Sequence, residues 1–223
     1  MVARSVDRAG KARVSALLGA ALSAHGSAAH AYFASAELLR GPTAARNLAD
    51  AVHFLCTLHG RHPGVIDLAI ERTRDEDARA WLAETADAFA AERLSLTKLA
   101  VAAGPVPGTP DGGASEAAVI AQRAAIATLA SSERNGCALG AALGLAADWV
   151  RIRAVLELAA RRLEVEVPES RMPSLASIEA QADAVSGAPV ERALLFGAEQ
   201  ILVQHHGLWA LLEAREQARR LHG

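Results

Sequence analysis

Apolar residues recur at three- and four-residue intervals along most of the chain, a spacing that places them on one stripe of an α-helix. Near the N-terminus Val14, Leu17, Leu18, Ala21 and Leu22 follow it within a segment of about 5–39. Gly26-Ser27 is the expected break in that segment and Gly41-Pro42 its stop. Thr43 is placed to cap the next helix, which carries Leu48, Val52 and Leu55 inward and runs to about His59. Gly60 then closes it and Pro63 opens a short helix to Arg72, the usual order of Gly after a helix end and Pro at a start. Asp75 to Ala103 forms a further helix with Trp81, Leu82, Phe89, Leu96 and Leu99 on its buried face.

Gly104 to Ala114 is rich in Gly and Pro and predicts a mobile crossing loop. Ser115 caps a helical run that kinks or stops at Asn135-Gly136 and resumes from Cys137 to about Glu164. Within that run Gly140 and Gly144 each cost about 1 kcal/mol relative to Ala, and close packing against another helix is the explanation preferred over a ligand at the backbone. A connector over 165–173 leads to a short helix near 175–185, and the last helix runs from Val190 to about Leu221 with Leu194, Ile201, Leu208 and Leu212 on one stripe.

The pattern therefore predicts one all-α domain over 1–223: N-terminal helices over 1–41, and a four-helix bundle over 43–221 with its flexible loop at 104–114. Composition agrees, because Ala, Leu, Arg and Glu dominate and the residues that favour strands are scarce. A net charge of -2 with interspersed signs gives no footprint for nucleic acid or an anionic membrane. Cys56 and Cys137 lie far apart inside helical patterns, which argues against a secreted disulfide scaffold and for a reducing, cytoplasmic setting. The longest apolar run, Gly136 to Ala147, is ended by Asp148, short of the roughly 20 residues of a membrane span. Ala29-His30-Ala31 resembles a leader cleavage site, but Asp7 interrupts the basic region before it and the apolar stripe is amphipathic.

Candidate chemistry lies in polar residues that fall on the inward stripes, because a buried polar group without a partner costs a few kcal/mol. His53 neighbours the Leu48, Val52, Leu55 stripe; Glu92 shares a face with Phe89, Leu96 and Leu99; Glu133 continues the line of Ile126 and Leu129; His205 lies on the last helix's stripe, and Glu199 and His206 share its neighbouring face. Carboxylates and imidazoles from facing helices suit a bound metal, Fe, Mn or Zn. The ordinary alternatives are core-edge histidines, rim pairs of Glu92 and Glu133 with Arg93, Arg123 or Arg134, and a solvated Asp50–Arg46 pair.

In outline, the span Thr43 to Leu221 resembles the ferritin-like carboxylate-bridged di-metal proteins. Those families carry Glu-x-x-His on two helices. Here the pattern is approximated only by Asp50-Ala-Val-His53 and by the wider Glu199, His206 pair, with Glu92 and Glu133 as the single carboxylates. The resemblance implies a bundle-core Fe or Mn centre and a possible oxidoreductase. Separately, His59, Arg61 and His62 surround a Gly corner, where they either cap helix carbonyls or hold the carboxylate or phosphate of a small ligand.

No phosphate loop, nucleophile elbow, zinc-spaced Cys pair or H-E-x-x-H is present. Non-covalent haem on His53, His59 or His205 fits by ligand type alone. The competing class is a non-enzymatic scaffold that binds a partner or a second copy of itself through the stripes at Val14 to Leu22 and Leu208 to Leu221. The expected partners are thus a small molecule or metal, with homo-oligomerisation open.

Overall fold

A computed structural model describes residues 12–110 and 112–222. The helical segment expected over 5–39, as one long or two short helices, therefore has its first residues, 5–11, outside the described part. Among the described residues there are nine α-helices and no strand: α1 (Val14–His25), α2 (Ala36–Leu39), α3 (Ala44–His59), α4 (Val65–Arg72), α5 (Glu76–Ala102), α6 (Gly112–Ala130), α7 (Cys137–Arg162), α8 (Leu175–Ala184) and α9 (Ala188–His222). Two short 3-10 turns, Ser27–Ala29 and Ala31–Ala34, join α1 to α2.

The architecture is organised around α7. Every residue from Cys137 to Trp149 is buried, and a helix that is apolar all round must be enclosed on all sides. It packs against α9 most extensively and also against α1, α3, α4, α5, α6 and α8. The sequence pattern led instead to four long helices around a shared core, with 115–164 as one of them. That span is two helices, separated at residues 131–136, where Gly136 adopts a left-handed φ of 93° that admits glycine readily. Ser115, expected as a cap, lies inside α6 and is buried.

Glycines set the closeness of the α7–α9 contact. A Cβ on Gly140 would stand 1.9 Å from the Leu194 carbonyl oxygen, one on Gly144 2.6 Å from Ile201 Cγ2, and one on Gly197 2.0 Å from the Cys137 carbonyl oxygen. Close helix packing is thus what offsets their low helix propensity.

Several local expectations change with the tertiary contacts. Thr43 occupies the N-cap position of α3, but its side chain caps nothing and instead accepts from Asn47. Asp75 does cap α5, accepting from the Ala78 amide at 2.9 Å. Residues 104–110, expected to be mobile, are pinned by three arginines: Arg46 donates to the Gly108 carbonyl (2.8 Å), Arg215 to the Pro107 carbonyl (3.0 Å) and Arg219 to the Thr109 hydroxyl (2.8 Å). Asp50 does not meet Arg46. It is buried between Arg215, bound bidentately at 2.9 and 3.0 Å, and Arg219, which also reaches Asn47. Much of the stripe expected to seek a partner is used within the chain: Val14 and Leu18 of α1 and Leu208 and Leu212 of α9 are buried. No helix among the described residues is long and apolar enough to cross a membrane.

Candidate functional site

The centre of the fold holds a chain of hydrogen-bonded side chains contributed by three helices and a turn. Asp148, in the middle of α7, is buried and faces α9. Its Oδ1 accepts the Ser27 backbone amide at 2.9 Å, and its Oδ2 accepts the Ser27 hydroxyl at 2.6 Å. Ser27 is available because α1 ends at Gly26, where a side chain would meet the Leu22 carbonyl at 2.6 Å and Asp148 Oδ1 at 3.1 Å. The chain can pass closely only as glycine there.

His205 completes the carboxylate's shell, with Nδ1 2.7 Å from Asp148 Oδ2. Its Nε2 lies 2.9 Å from Nε2 of His59, the last residue of α3. With Asp148 ionised, His205 Nδ1 must donate, and the two Nε2 atoms then hold one proton between them. Burial alone raises the Asp148 pKa, but the His205 hydrogen bond and charge, with the two Ser27 donors, outweigh it and hold the carboxyl below its ordinary value. Burial first, and then the charge of His205, push His59 well below the ordinary histidine value, so it rests as a neutral ring.

Aromatic rings fix the His59 position. It meets Trp149 edge-on at 5.8 Å and Phe89 at 6.4 Å between centroids. Trp149 is in turn held by Glu92, whose Oε2 accepts its indole N–H at 3.2 Å. Glu92 also pairs with Arg153 and accepts the Ser170 hydroxyl at 2.8 Å, while Arg153 reaches the Pro168 carbonyl. This second network orients the ring packed on His59 and ties the connector after α7 to the core.

The relay runs between two clefts. At one end His59 lines a narrow cleft of about 40 Å³ beside the α3–α4 corner, with Leu58, Phe89, Ile126 and the guanidinium-bearing Arg61 and Arg123. At the other end Asp148 lies in the wall of a larger cleft of about 710 Å³, lined by residues of α1, α7 and α8 that include Leu18, Leu22 and Arg151.

The six residues expected to gather as metal ligands do not gather. His205 is in the relay and Glu92 is two rings away, committed to Arg153. Glu133 is not on a helix but in the exposed turn after α6, 3.8 Å from Arg72. Glu199 is half exposed and faces His25 at 3.6 Å. His206 stacks edge-on against His30 at 4.7 Å, and its buried Nδ1 has no partner. His53 is half-buried, with an unpartnered Nε2. Among the described residues no group of three or more His, Cys, Asp and Glu side chains is placed to hold a metal ion. The corner set is also rearranged. His59 turns inward rather than capping, Arg61 stays at the cleft, and His62 points to Asp67 at 3.4 Å.

The sequence pattern singles out neither Asp148 nor Ser27 as functional, and it offers Arg123 only as a rim partner of Glu92 or Glu133. For Asp148 a signal existed: it follows twelve uncharged residues in a helix whose apolar residues surround it on every face. Ser27 carried none beyond its place after a helix-ending glycine.

Fold and site together define an all-helical protein with an Asp–His–His relay buried at its centre. The chain belongs to the family of unknown function DUF6975, whose model matches residues 22–220. That match spans every relay residue. No curated protein and no solved structure matches the chain.

Proposed function

We propose that the protein binds a small molecule at the corner cleft and exchanges a proton with it through His59. The observation that carries this reading is the 2.9 Å contact between His59 Nε2 and His205 Nε2, backed by the 2.7 Å contact of His205 with Asp148. A neutral imidazole in a water-poor wall is a competent general base. A proton taken up by His59 passes to His205, where the Asp148 carboxylate stabilises the resulting cation. Returned along the same path, it makes His59 a general acid. Ser27 fixes the carboxylate, and Trp149 and Phe89 fix the ring, so the transfer requires little rearrangement.

Histidine ring NMR of the 15N-labelled protein, with crystals soaked in fragment-sized carbonyl, ester and phosphate compounds, tests it. The expected result is one N–H proton held between the Nε2 atoms of His59 and His205 over about pH 5 to 8, its resonance displaced in Asp148→Asn, where no carboxylate fixes the His205 tautomer, and fragments seated against His59. Two rings that titrate independently near the ordinary histidine value of about 6.5, with fragments bound only elsewhere, would remove the proposal.

A further inference from the structure

We propose that the corner cleft is a site for a compact oxyanion, a carboxylate or phosphate group held by Arg61 and Arg123 against the His59 ring. The inference rests on the reading of this cleft as the place where His59 meets its ligand, and it adds the chemical class.

Charge balance is the first argument. No acidic residue lines the cleft, whereas two guanidiniums do. Arg61 makes no ion pair or hydrogen bond among the described residues, and the one hydrogen bond of Arg123 is a long 3.4 Å contact with the Thr57 carbonyl. Guanidiniums close by are already neutralised: Arg93 by Asp67 at 2.9 Å, and Arg153 by Glu92. Asp67 of α4 borders the cleft but is taken up by the Gly64 amide (2.8 Å) and Arg93 (2.9 Å), while Asp148 and Glu92 stand behind His205 and Trp149. His62 is occupied with Asp67 outside the lining. The cleft therefore carries uncompensated positive charge between apolar walls, where an anion interacts more strongly than in open water.

The start of α4 adds little to this field, because Asp67 in its first turn already accepts the Gly64 amide at 2.8 Å. Size then limits the ligand. A single water needs about 10–15 Å³ of such space, so a cleft of about 40 Å³ admits a group of a few heavy atoms, with the rest of a larger ligand outside. Guanidinium pairs recognise carboxylate and phosphate with matched geometry.

The test uses the full chain at low ionic strength and neutral pH, titrated with inorganic phosphate and separately with acetate, read by calorimetry and by the His59 ring resonances. Expected are saturable binding of at least one anion, a shift of the His59 signals, and a loss of about tenfold in affinity in each of Arg61→Gln and Arg123→Gln. Arg79→Gln, on the exposed side of α5, leaves affinity unchanged. Phosphate alone binding identifies a phosphate site, and acetate alone a carboxylate site. Neither anion moving the His59 signals, or equal binding in the Arg61→Gln/Arg123→Gln double variant, overturns the inference. Both arginines lie outside the core, so circular dichroism of the variants should match the parent. Arginine-dependent binding in a protein whose two histidines titrate independently would retain the oxyanion site and discard the proton transfer. A shared proton without anion binding would do the reverse.

Discussion

Replacing His59 by Gln should change not only how stable the protein is but how its stability responds to acid. The ring is neutral and buried in the folded state, its pKa lowered by burial and then by the charge of His205. In the unfolded chain it titrates near 6.5. Below that pH the unfolded state therefore binds a proton that the folded state refuses, and stability falls as pH falls toward the folded pKa. For one such group the loss approaches about 1.4 kcal/mol per pH unit, and from pH 8 to pH 5 it amounts to about 2 kcal/mol. Gln at 59 cannot titrate and removes this term. It also loses the bond to His205 and the ring contacts with Trp149, a cost of about 1–3 kcal/mol at pH 8. Urea unfolding of both proteins between pH 8 and pH 5 should thus show a deficit that shrinks by about 2 kcal/mol toward acid. His30 is also lowered, by burial and then by His206, but it is present in both proteins and cancels in the difference. Parallel stability curves would refute the argument, because they would mean that His59 takes its proton in the folded state as easily as in the unfolded one.

The same substitution should have opposite signs at two glycines. Gly197→Ala places a Cβ 2.0 Å from the Cys137 carbonyl oxygen of α7, so the two central helices must part, at a cost of about 2 kcal/mol or more by thermal or urea unfolding. Gly19→Ala, in the exposed interior of α1 with nothing within 4 Å of the added carbon, should stabilise by about 0.5–1 kcal/mol through backbone entropy and helix propensity.

Where local chemistry decides an element, the sequence shows it. The Asp75 cap starts α5, Gly187 with its left-handed φ of 100° immediately precedes the last helix, and both helices lie within two residues of their expected ends. Where a contact decides, the pattern misleads. Glu133 reads as a continuation of the Ile126, Leu129 line only if the helix continues through it, and the turn at 131–136 places it in solvent. On α9 the apolar stripe correctly puts His205 inside, but Glu199 and His206 sit on its flank, where the neighbours are α1 and its following turn rather than a metal-binding partner helix. His59 is the clearest case. Its place at a helix end suggests capping, and only the passage of α9 beside α3 turns the ring into a partner for His205.

The two buried acid networks differ in what they accomplish, and the difference separates structure from function. Asp50 is enclosed by Arg215 and Arg219, whose remaining donors hold Pro107, Thr109 and Asn47. It joins α3, α9 and the crossing loop, so its cost of burial is met by architecture. Asp148 and His205 hold the Ser27 turn and the His59 ring at the end of α3, on two helices that glycines already press together. Apolar residues of similar volume could pack there, and such replacements of buried ion pairs are often neutral or stabilising. What they could not do is hold a neutral imidazole in the wall of a cationic cleft with a path for its proton. Packing explains the Asp50 cluster; it does not explain a buried Asp–His–His relay that ends in the wall of a cleft.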